Sequence, residues 1–299
     1  MSLFSDFRLP CVIVRLAGGL GNQLFMYAFA RALASRNRVP LLLDTVSGFA
    51  RDRNYRRNYL LNYLIPEERQ ASRLQARAWP LVGRAVQSLD RRRNNRLPLS
   101  ERYYLREREN GFDREIHDLR ITRPLIVDGY WQTERYFDDL PLRELIRFPE
   151  TLTAALASEL ATIRAAATPV CLAVRRYEEI PKLKRPMVIL DADYYHRAMA
   201  RLEEKVEHPH YFVFAQDMDW AREKLISRHP MTFASEKGPD AGAVQDLFLM
   251  AQCRHHIISN STLHWWGAWL STKRDKIVLA PARGWAQHDT LPVDWQNLE

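Results

Sequence analysis

The chain has 299 residues, of which 46% are hydrophobic and 27% charged, a composition typical of soluble globular proteins with one large α/β domain or two ordinary ones. Lys and Arg outnumber Asp and Glu by 44 to 36, and the net charge of +8 favours an anionic partner such as a nucleotide, a nucleic acid or an anionic membrane face. No apolar run is long enough to span a membrane, and no signal-peptide pattern is present. We therefore expect a cytoplasmic protein, whose positive charge is compatible with peripheral contact with the inner membrane face.

The first predicted elements form a βαβ unit. "CVIVRL" predicts a strand, "AGGLGNQ" a glycine loop, "LFMYAFARALASRNR" a helix and "VPLLLD" the next strand. Backbone amides of such a loop can approach an anion or a sugar, and we expect Asn22 and Gln23 to cap the helix. Leu24 stands where the dinucleotide-binding fingerprint needs glycine, so that fingerprint is excluded. A tight turn would explain the glycines but not the polar pair, and Gly19, Asn22 and Gln23 are candidate ligand contacts.

Residues 51–123 are charged and helix-prone, and prolines interrupt them, so we expect helices and loops there with little strand. Arginines are dense from Arg84 to Arg123, but interleaved acidic residues indicate a solvated, mixed-charge surface. The strand pattern resumes at "PLIVDGYWQ". The aromatic cluster "DGYWQTERYF" that overlaps it fits a sugar-stacking wall or ordinary packing.

A second domain is predicted where the pattern breaks, near Pro149, which divides the chain into 1–149 and 150–299. After a helix in "ETLTAALASELATIRAAA", strands and helices alternate to the end of the sequence. The predicted strands are "VCLAV", "HYFVFA", "MTFAS", "HHIISN" and "KIVLAP". Such alternation indicates a doubly wound parallel sheet.

Arg175 and Arg176 end the strand "PVCLAV", which is apolar on both faces and therefore typical of a buried parallel strand. Ligands of such sheets bind at the carboxyl ends of the strands. Two guanidinium groups there could hold a phosphate by charge-assisted hydrogen bonds, or they could be solvated residues that close the strand.

"HHIISNSTLHWWGAWLS" also joins a buried strand to a helix. Asn260, Ser261 and Thr262 bring an amide, two hydroxyls and main-chain N–H groups to the helix start, which suits a phosphate. An ordinary helix cap followed by core tryptophans explains the same residues.

Metal and disulfide chemistry receive little support. Asp217 and Asp219 have the Asp-x-Asp spacing of metal-dependent glycosyltransferases, but Asp219 is also placed to cap the following helix, and the histidines show no metal-site spacing. We therefore expect no metal site. Cys11, Cys171 and Cys253 are far apart in the sequence, within or beside apolar segments, and are predicted to be reduced core residues.

Four stretches together resemble a known family. "VRLAGGLGNQLFMYAFARALA", "GYWQTERYF", "DLFLMAQCRHHIISNSTLHWWGAWLS" and "KIVLAP" follow the order and spacing of the α-1,2-fucosyltransferases of glycosyltransferase family 11. The resemblance implies an α/β fold of GT-B type, with two Rossmann-like doubly wound domains facing a cleft. It also implies an acceptor-side N-terminal domain with a helical insertion, a C-terminal domain that binds the nucleotide sugar, and no metal ion.

Two motifs depart from the family pattern. The strand that normally reads His-x-Arg-Arg-Gly-Asp keeps Arg175 and Arg176 but has Ala173 and Glu178 at its His and Asp positions. The resemblance assigns the donor diphosphate to Arg175, with Ser261 and Thr262 holding the same phosphate. In the family stretch Phe-Ser-Asp-Asp, one carboxylate has become Gln216, which is followed by Asp217. In related enzymes the residues at the positions of Ala173 and Gln216 are implicated in holding guanine. The two changes therefore leave the identity of the donor nucleotide undetermined.

The resemblance implies an inverting glycosyltransferase that moves a 6-deoxyhexose to a sugar hydroxyl of a surface glycan, a lipopolysaccharide or a lipid-linked acceptor. L-Fucose from GDP-fucose, in α-1,2 linkage, is the first choice, and no separate cofactor is expected. Glu178, near the diphosphate clamp, is the candidate base. The alternatives are a dTDP- or UDP-linked deoxysugar such as rhamnose as donor, or a weakly active glycan- or nucleotide-binding protein. No nucleic-acid motif is present, and we expect no nucleic-acid partner.

Overall fold

The chain folds into two compact units. Unit 1 comprises Met1–Arg147 and Gln287–Thr290, and unit 2 comprises Phe148–Ala286 and Leu291–Glu299. The computed structural model describes residues 9–52, 56–72, 92–108, 111–148, 150–176, 188–238, 242–286 and 288–299. The predicted boundary residue, Pro149, and the arginines from 84 to 91 lie outside these ranges.

Unit 1 is built on a four-stranded parallel sheet with strand order β2-β1-β4-β3. Its elements are β1 (Val12–Arg15), α1 (Leu20–Asn37), β2 (Leu41–Asp44), β3 (Tyr104–Arg106), α2 (Arg114–His117), β4 (Leu125–Asp128) and α3 (Leu142–Leu145), with 3₁₀ turns at Phe49–Arg51, Leu61–Tyr63, Leu99–Glu101 and Glu134–Tyr136. The predicted βαβ unit is confirmed, because β1 and β2 pair in parallel on either side of α1. The strand β3 lies in the region where little strand was expected.

Unit 2 is built on a six-stranded parallel sheet with strand order β10-β9-β8-β5-β6-β7. Its elements are α4 (Ala154–Ala165), β5 (Thr168–Val174), α5 (Ala192–Glu203), β6 (Pro209–Ala215), α6 (Met218–Lys224), β7 (Met231–Phe233), α7 (Gly242–Gln252), β8 (His255–Ile258), α8 (Thr262–Leu270), β9 (Val278–Pro281) and β10 (Gln296–Leu298). The predicted alternation of strands and helices is confirmed, and β10 is an addition that was not predicted.

The sheet of unit 2 is covered on both faces. Val170, Leu172 and Val174 of β5 belong to a cluster that includes side chains of α5. Cys171 and Ala173 belong to a separate cluster that includes side chains of α4 and α7. Alternate residues of one strand therefore enter two different cores, which is why the strand is apolar at every position.

Other packing predictions are also confirmed. Trp265 and Trp266 are fully buried and Trp269 nearly so, in an aromatic cluster within α8 that has one stacked and two edge-to-face ring pairs. All three cysteines are buried and make no disulfide. No helix within the described ranges has both the length and the apolar character needed to cross a membrane.

Two buried histidines of unit 2 predict acid sensitivity. Burial lowers the pKa of His256, in β8, and of His264, in α8, from an ordinary 6.5 to about 3. Both rings are thus neutral in the folded protein, whereas the unfolded chain binds protons as the pH falls below 6.5. The stability that they contribute is fully present above that pH and is lost as the pH falls towards 3. Between pH 7 and pH 5 each ring should cost about 2 kcal/mol of unfolding free energy.

Urea unfolding followed by tryptophan fluorescence checks this prediction. His256→Leu has a side chain of similar size that does not titrate, and it should remove about half of the two-histidine loss between pH 7 and pH 5. An equal loss in the variant and the parent protein would contradict the assignment.

Candidate functional site

The site in unit 2 lies at the carboxyl edge of its sheet, between β5 and β8. From β5 the chain adds β6 and β7 on one side, while β8, β9 and β10 lie on the other, so the strand order reverses between β5 and β8. Arg175 directly follows β5, and Ser259 directly follows β8. The Ser259 N–H donates to the carbonyl of Ala173 at 3.1 Å, which joins the two strand ends. Parallel α/β sheets bind ligands at such a switch point.

The paired arginines are held in different ways. The main-chain N–H of Arg175 donates to the hydroxyl of Tyr195 on α5 at 3.4 Å. The guanidinium carbon of Arg176 lies 4.5 Å from the centre of the Trp220 ring on α6, a cation–π distance. Both arginines are half-buried. Both follow β5 at the switch point, and neither is fully exposed to solvent.

The start of α8 lies next to the end of β8 and forms the other side of the site. Ser261 occupies the N-cap position, but its side chain makes no capping hydrogen bond. Asn260 is buried and donates through Nδ2 to the carbonyl of Val188 at 2.9 Å. Thr262 is the first residue of the helix. The fold therefore places Arg175, Asn260, Ser261 and Thr262 after two adjacent strands, at the same edge of the sheet.

His264 belongs to the same cluster, although the sequence analysis did not select it. Its Nδ1 lies 2.9 Å from Ser259 Oγ in a buried contact. Burial, and to a smaller extent the charge of Arg175, lower the pKa of His264 to about 3. A histidine in the first turn of a helix, after a run of polar residues, is the signal that could have identified it.

Gln216 and Asp217 follow the neighbouring strand β6 and are exposed. Asp217 accepts the Trp220 N–H through Oδ1 at 3.0 Å and is the N-cap of α6. The prediction that Asp219 caps this helix is therefore wrong, because the helix begins at Met218, one residue earlier than expected. Glu178, the candidate base, lies outside the described residues.

Among the described residues, neither Asp217 nor Asp219 belongs to a group of three possible metal ligands. Within the described part of the chain, the one such group comprises His117, Asp138 and Asp139 of unit 1, in which the two carboxylates are exposed. The Asp-x-Asp spacing thus has no third ligand within the described ranges.

The glycine loop of unit 1 is fixed by Gln23. This fully buried amide donates through Nε2 to the carbonyls of Gly18 at 2.8 Å and Asn58 at 2.9 Å, and its Oε1 accepts the Leu60 N–H at 2.9 Å. The expectation that Asn22 and Gln23 cap the helix is wrong, because α1 begins at Leu20 with Gly19 at the N-cap position and no side-chain cap. Gln23 braces the loop against a distant segment instead.

The other candidates in this loop face more open surroundings. A Cβ atom added to Gly19 would meet no heavy atom within 4 Å, so the main chain at the helix start is open to an approaching group. Asn22 is half-buried and accepts a hydrogen bond from Gln132 Nε2 at 3.0 Å, which connects the loop to the segment after β4.

A buried charge network, which the sequence analysis missed, lies at the carboxyl edge of the unit 1 sheet. Arg15, only 3% exposed, donates through Nη1 to Asp128 Oδ2 at 2.7 Å, and its Nε lies 3.6 Å from Asp44 Oδ2. The Tyr104 hydroxyl donates to the same Asp128 oxygen at 2.6 Å. The signal was present: β1, β2 and β4 read VIVR, LLLD and LIVD, three apolar strands that each end in a charge.

The aromatic segment after β4 contains one buried ring and one exposed ring. Trp131 is fully buried and stacks on Phe29 with ring centres 4.0 Å apart, so it is a packing residue. Tyr130 is 43% exposed. Glu107 fixes this turn by accepting the N–H groups of Tyr130 and Trp131 at 2.5 and 2.6 Å. Of the two rings, Tyr130 has the exposure suited to stacking on a sugar.

Comparison with known proteins identifies related sequences over nearly the whole chain. The family model described as glycosyl transferase family 11 matches residues 11–291. The O-antigen biosynthesis glycosyltransferase WbnK of Escherichia coli is 28% identical over 95% of this chain and 99% of its own length. An α-1,2-colitosyltransferase of Escherichia coli is 27% identical over 96% of this chain and 99% of its own.

Solved structures share the fold at low sequence identity. Arabidopsis thaliana FUT1, in complex with GDP, is similar with a TM-score of 0.57 and 13% identity, over 90% of this chain and 70% of that chain. The fucosyltransferase NodZ from Bradyrhizobium has a TM-score of 0.50 and 14% identity, over 87% of this chain and 92% of its own. The predicted fold class, two Rossmann-like α/β units of GT-B type, is confirmed.

Proposed function

Because the chain belongs to glycosyltransferase family 11, we propose that it transfers a deoxyhexosyl group from a nucleotide diphosphate to a sugar hydroxyl of a surface glycan or lipopolysaccharide. The preferred donor is GDP-fucose, and the preferred product carries L-fucose in α-1,2 linkage. The name of one relative, an O-antigen biosynthesis glycosyltransferase, supports the acceptor class, and that of the α-1,2-colitosyltransferase supports a deoxyhexosyl group and the α-1,2 linkage.

One observation carries the proposal: Arg175 and the start of α8 meet at the switch point of a parallel sheet. Negative charge accumulates on the diphosphate as the sugar leaves it. A guanidinium and main-chain N–H groups that are already in place stabilise this charge without reorganisation, which is the main source of catalysis in such sites. The proposed donor site is completed by Arg176, Asn260, Ser261 and Thr262. Gln216 and Asp217 are assigned to the nucleobase of the donor.

For the acceptor we propose the carboxyl edge of the unit 1 sheet. Tyr130 provides an exposed ring and Asp128 a half-buried carboxylate, a combination that binds sugars by stacking and by accepting a hydroxyl hydrogen bond. Gly19 and Asn22 belong to the loop after the adjacent strand β1. Glu178 stays the proposed base that removes the proton of the acceptor hydroxyl in an inverting displacement.

A transfer assay tests the function. The protein is incubated with GDP-fucose and a panel of oligosaccharide acceptors, with and without a chelator of divalent ions, and GDP release and product mass are measured. We expect transfer that survives chelation, since arginine and main-chain N–H groups neutralise the diphosphate. Loss of activity on chelation that manganese or magnesium restores would instead assign a metal to Asp217 and Asp219.

A colitosyl donor is the second candidate, and the relative named as an α-1,2-colitosyltransferase favours it. The same assay with GDP-colitose in parallel decides between the two sugars, because the donor that gives the higher kcat/KM is the substrate.

We predict that the protein discriminates weakly between nucleotide bases. A carboxylate accepts two hydrogen bonds from the N1 and N2 edge of guanine, whereas Gln216 offers one acceptor atom. The side chain of Ala173 offers no polar group, and the residue is buried in the sheet. Each lost contact should reduce discrimination by about 1 to 3 kcal/mol, so calorimetry with GDP, UDP and dTDP should give affinities within about a hundredfold of one another.

Gln216→Asp tests the physical basis of this prediction. It should raise the preference for GDP, because it restores the second acceptor atom at an exposed position where the fold is not at risk. If the parent protein already binds GDP at least about a hundredfold more tightly than the other nucleotides, guanine is read by other groups and the prediction is wrong.

A further inference from the structure

His264 is directed towards the switch point by its place in α8. It is the third residue of a helix that begins at Thr262. Side chains of a helix lean towards its N-terminus, so the ring lies back over the helix start. The contact between Nδ1 and Ser259 Oγ, 2.9 Å long, confirms this direction, because Ser259 lies in the loop that precedes the helix.

Ser259 in turn is fixed to the strand that carries Arg175. Its N–H donates to the carbonyl of Ala173, two residues before Arg175. The imidazole is 6% exposed, and Arg175 is close enough for its charge to act on the ring. The ring therefore belongs to the same cluster as Arg175 and the first residues of α8.

The direction of the hydrogen bond to Ser259 fixes which nitrogen of the ring carries the proton. In a neutral ring one nitrogen donates and the other accepts. If the Ser259 hydroxyl donates to Nδ1, the proton resides on Nε2, which is then a hydrogen-bond donor. Within the described residues, Ser259 is the one hydrogen-bond partner of this ring. A ring N–H at this helix start can donate to a bound anion.

We propose that His264 is a donor-binding residue whose Nε2–H donates a hydrogen bond to the diphosphate of the nucleotide sugar. The inference rests on the proposed function and adds a contact to its donor site. The neutral ring places no second positive charge beside Arg175 before the ligand binds. It adds a directed hydrogen bond when the diphosphate arrives, and Ser259 acts as the positioning residue that holds the ring and its tautomer.

Two neutral substitutions separate this role from a purely structural one. The side-chain amide nitrogen of Gln reaches the place of the histidine Nε2, whereas that of Asn reaches only the place of Nδ1. His264→Gln therefore keeps a donor towards the diphosphate and His264→Asn does not. Both variants lose the ring to a similar degree, so a structural role would affect them alike.

Calorimetric titration with GDP is the test. We expect His264→Gln to bind GDP within about threefold of the parent protein and His264→Asn to bind it about 10- to 100-fold more weakly, as for a hydrogen bond to a charged group. Urea midpoints confirm that both variants are folded. Equal weakening in both variants, or weakening in neither, would overturn the assignment of Nε2.

Nuclear magnetic resonance of nitrogen-15 histidine gives a second readout. The His264 signals, assigned by their loss in His264→Gln, should show a neutral ring protonated at Nε2 from about pH 5.5 to 8, and the Nε2 signal should shift when GDP is added. A charged ring or a proton on Nδ1 would overturn the inference. If the parent protein binds none of GDP, UDP and dTDP, the proposed function itself fails, whereas normal GDP binding with unchanged His264 variants contradicts the His264 contact alone.

Discussion

Arg175→Ala should lower kcat/KM for the transfer by about 30- to 1,000-fold, which corresponds to about 2 to 4 kcal/mol of transition-state stabilisation. The guanidinium lies at the carboxyl end of β5, where the leaving diphosphate gains charge in the proposed reaction. The fold should be unaffected, because the main chain of Arg175, which the substitution retains, makes the hydrogen bond to the Tyr195 hydroxyl.

Two further substitutions make the result specific. Arg175→Lys keeps the charge but loses the planar fork, so its activity should fall between those of the parent protein and the alanine variant. Arg164→Ala removes an exposed arginine from α4 of the same unit and should leave turnover unchanged. A folded Arg175→Ala protein with near-normal turnover would remove Arg175 from the site.

Arg15→Met should destabilise the protein by about 3 to 5 kcal/mol, since it leaves the carboxylates of Asp44 and Asp128 without their buried cation. Arg15 is 3% exposed, and Asp44 is equally inaccessible. Methionine fills a similar volume, so the expected loss is one of charge pairing rather than packing. The free energy of urea unfolding measures it.

An exposed ion pair of the same unit provides the control. Arg147 and Glu67 lie 3.1 Å apart with side chains 68% and 79% exposed. Arg147→Met should cost about 1 kcal/mol or less, because solvent already screens that pair. Adding Asp44→Asn to Arg15→Met should recover part of the lost stability by removing one buried charge. Similar costs for Arg15→Met and Arg147→Met would show that the buried network contributes no more than a surface pair.

The strand pattern of the sequence was sufficient to predict the parallel sheets. β5 is apolar at every position because its residues enter two cores, whereas a strand with one face in solvent would alternate between apolar and polar residues. The short strands β3 and β10 have three residues each and pair only at sheet edges. Their conformation depends on the neighbouring strand rather than on their own residues, so local patterns could not reveal them.

Long-range contacts limited what could be predicted about the sites. Gln23 looked like a helix cap, but its partners include Asn58 and Leu60, which are far along the chain. Arg15 and Asp128 are separated by 113 positions, and only the sheet order places their strands side by side. Arg175 and Ser261 could be predicted, because the carboxyl ends of buried parallel strands share one edge of a sheet.

A crystal structure of the protein with GDP would locate the donor site. We expect the diphosphate to lie at the carboxyl edge of the unit 2 sheet, with its oxygens within hydrogen-bonding distance, about 3 Å, of the Arg175 guanidinium and of the first N–H groups of α8. A diphosphate bound elsewhere, for example at the glycine loop before α1, would contradict the assignment of the donor site to unit 2.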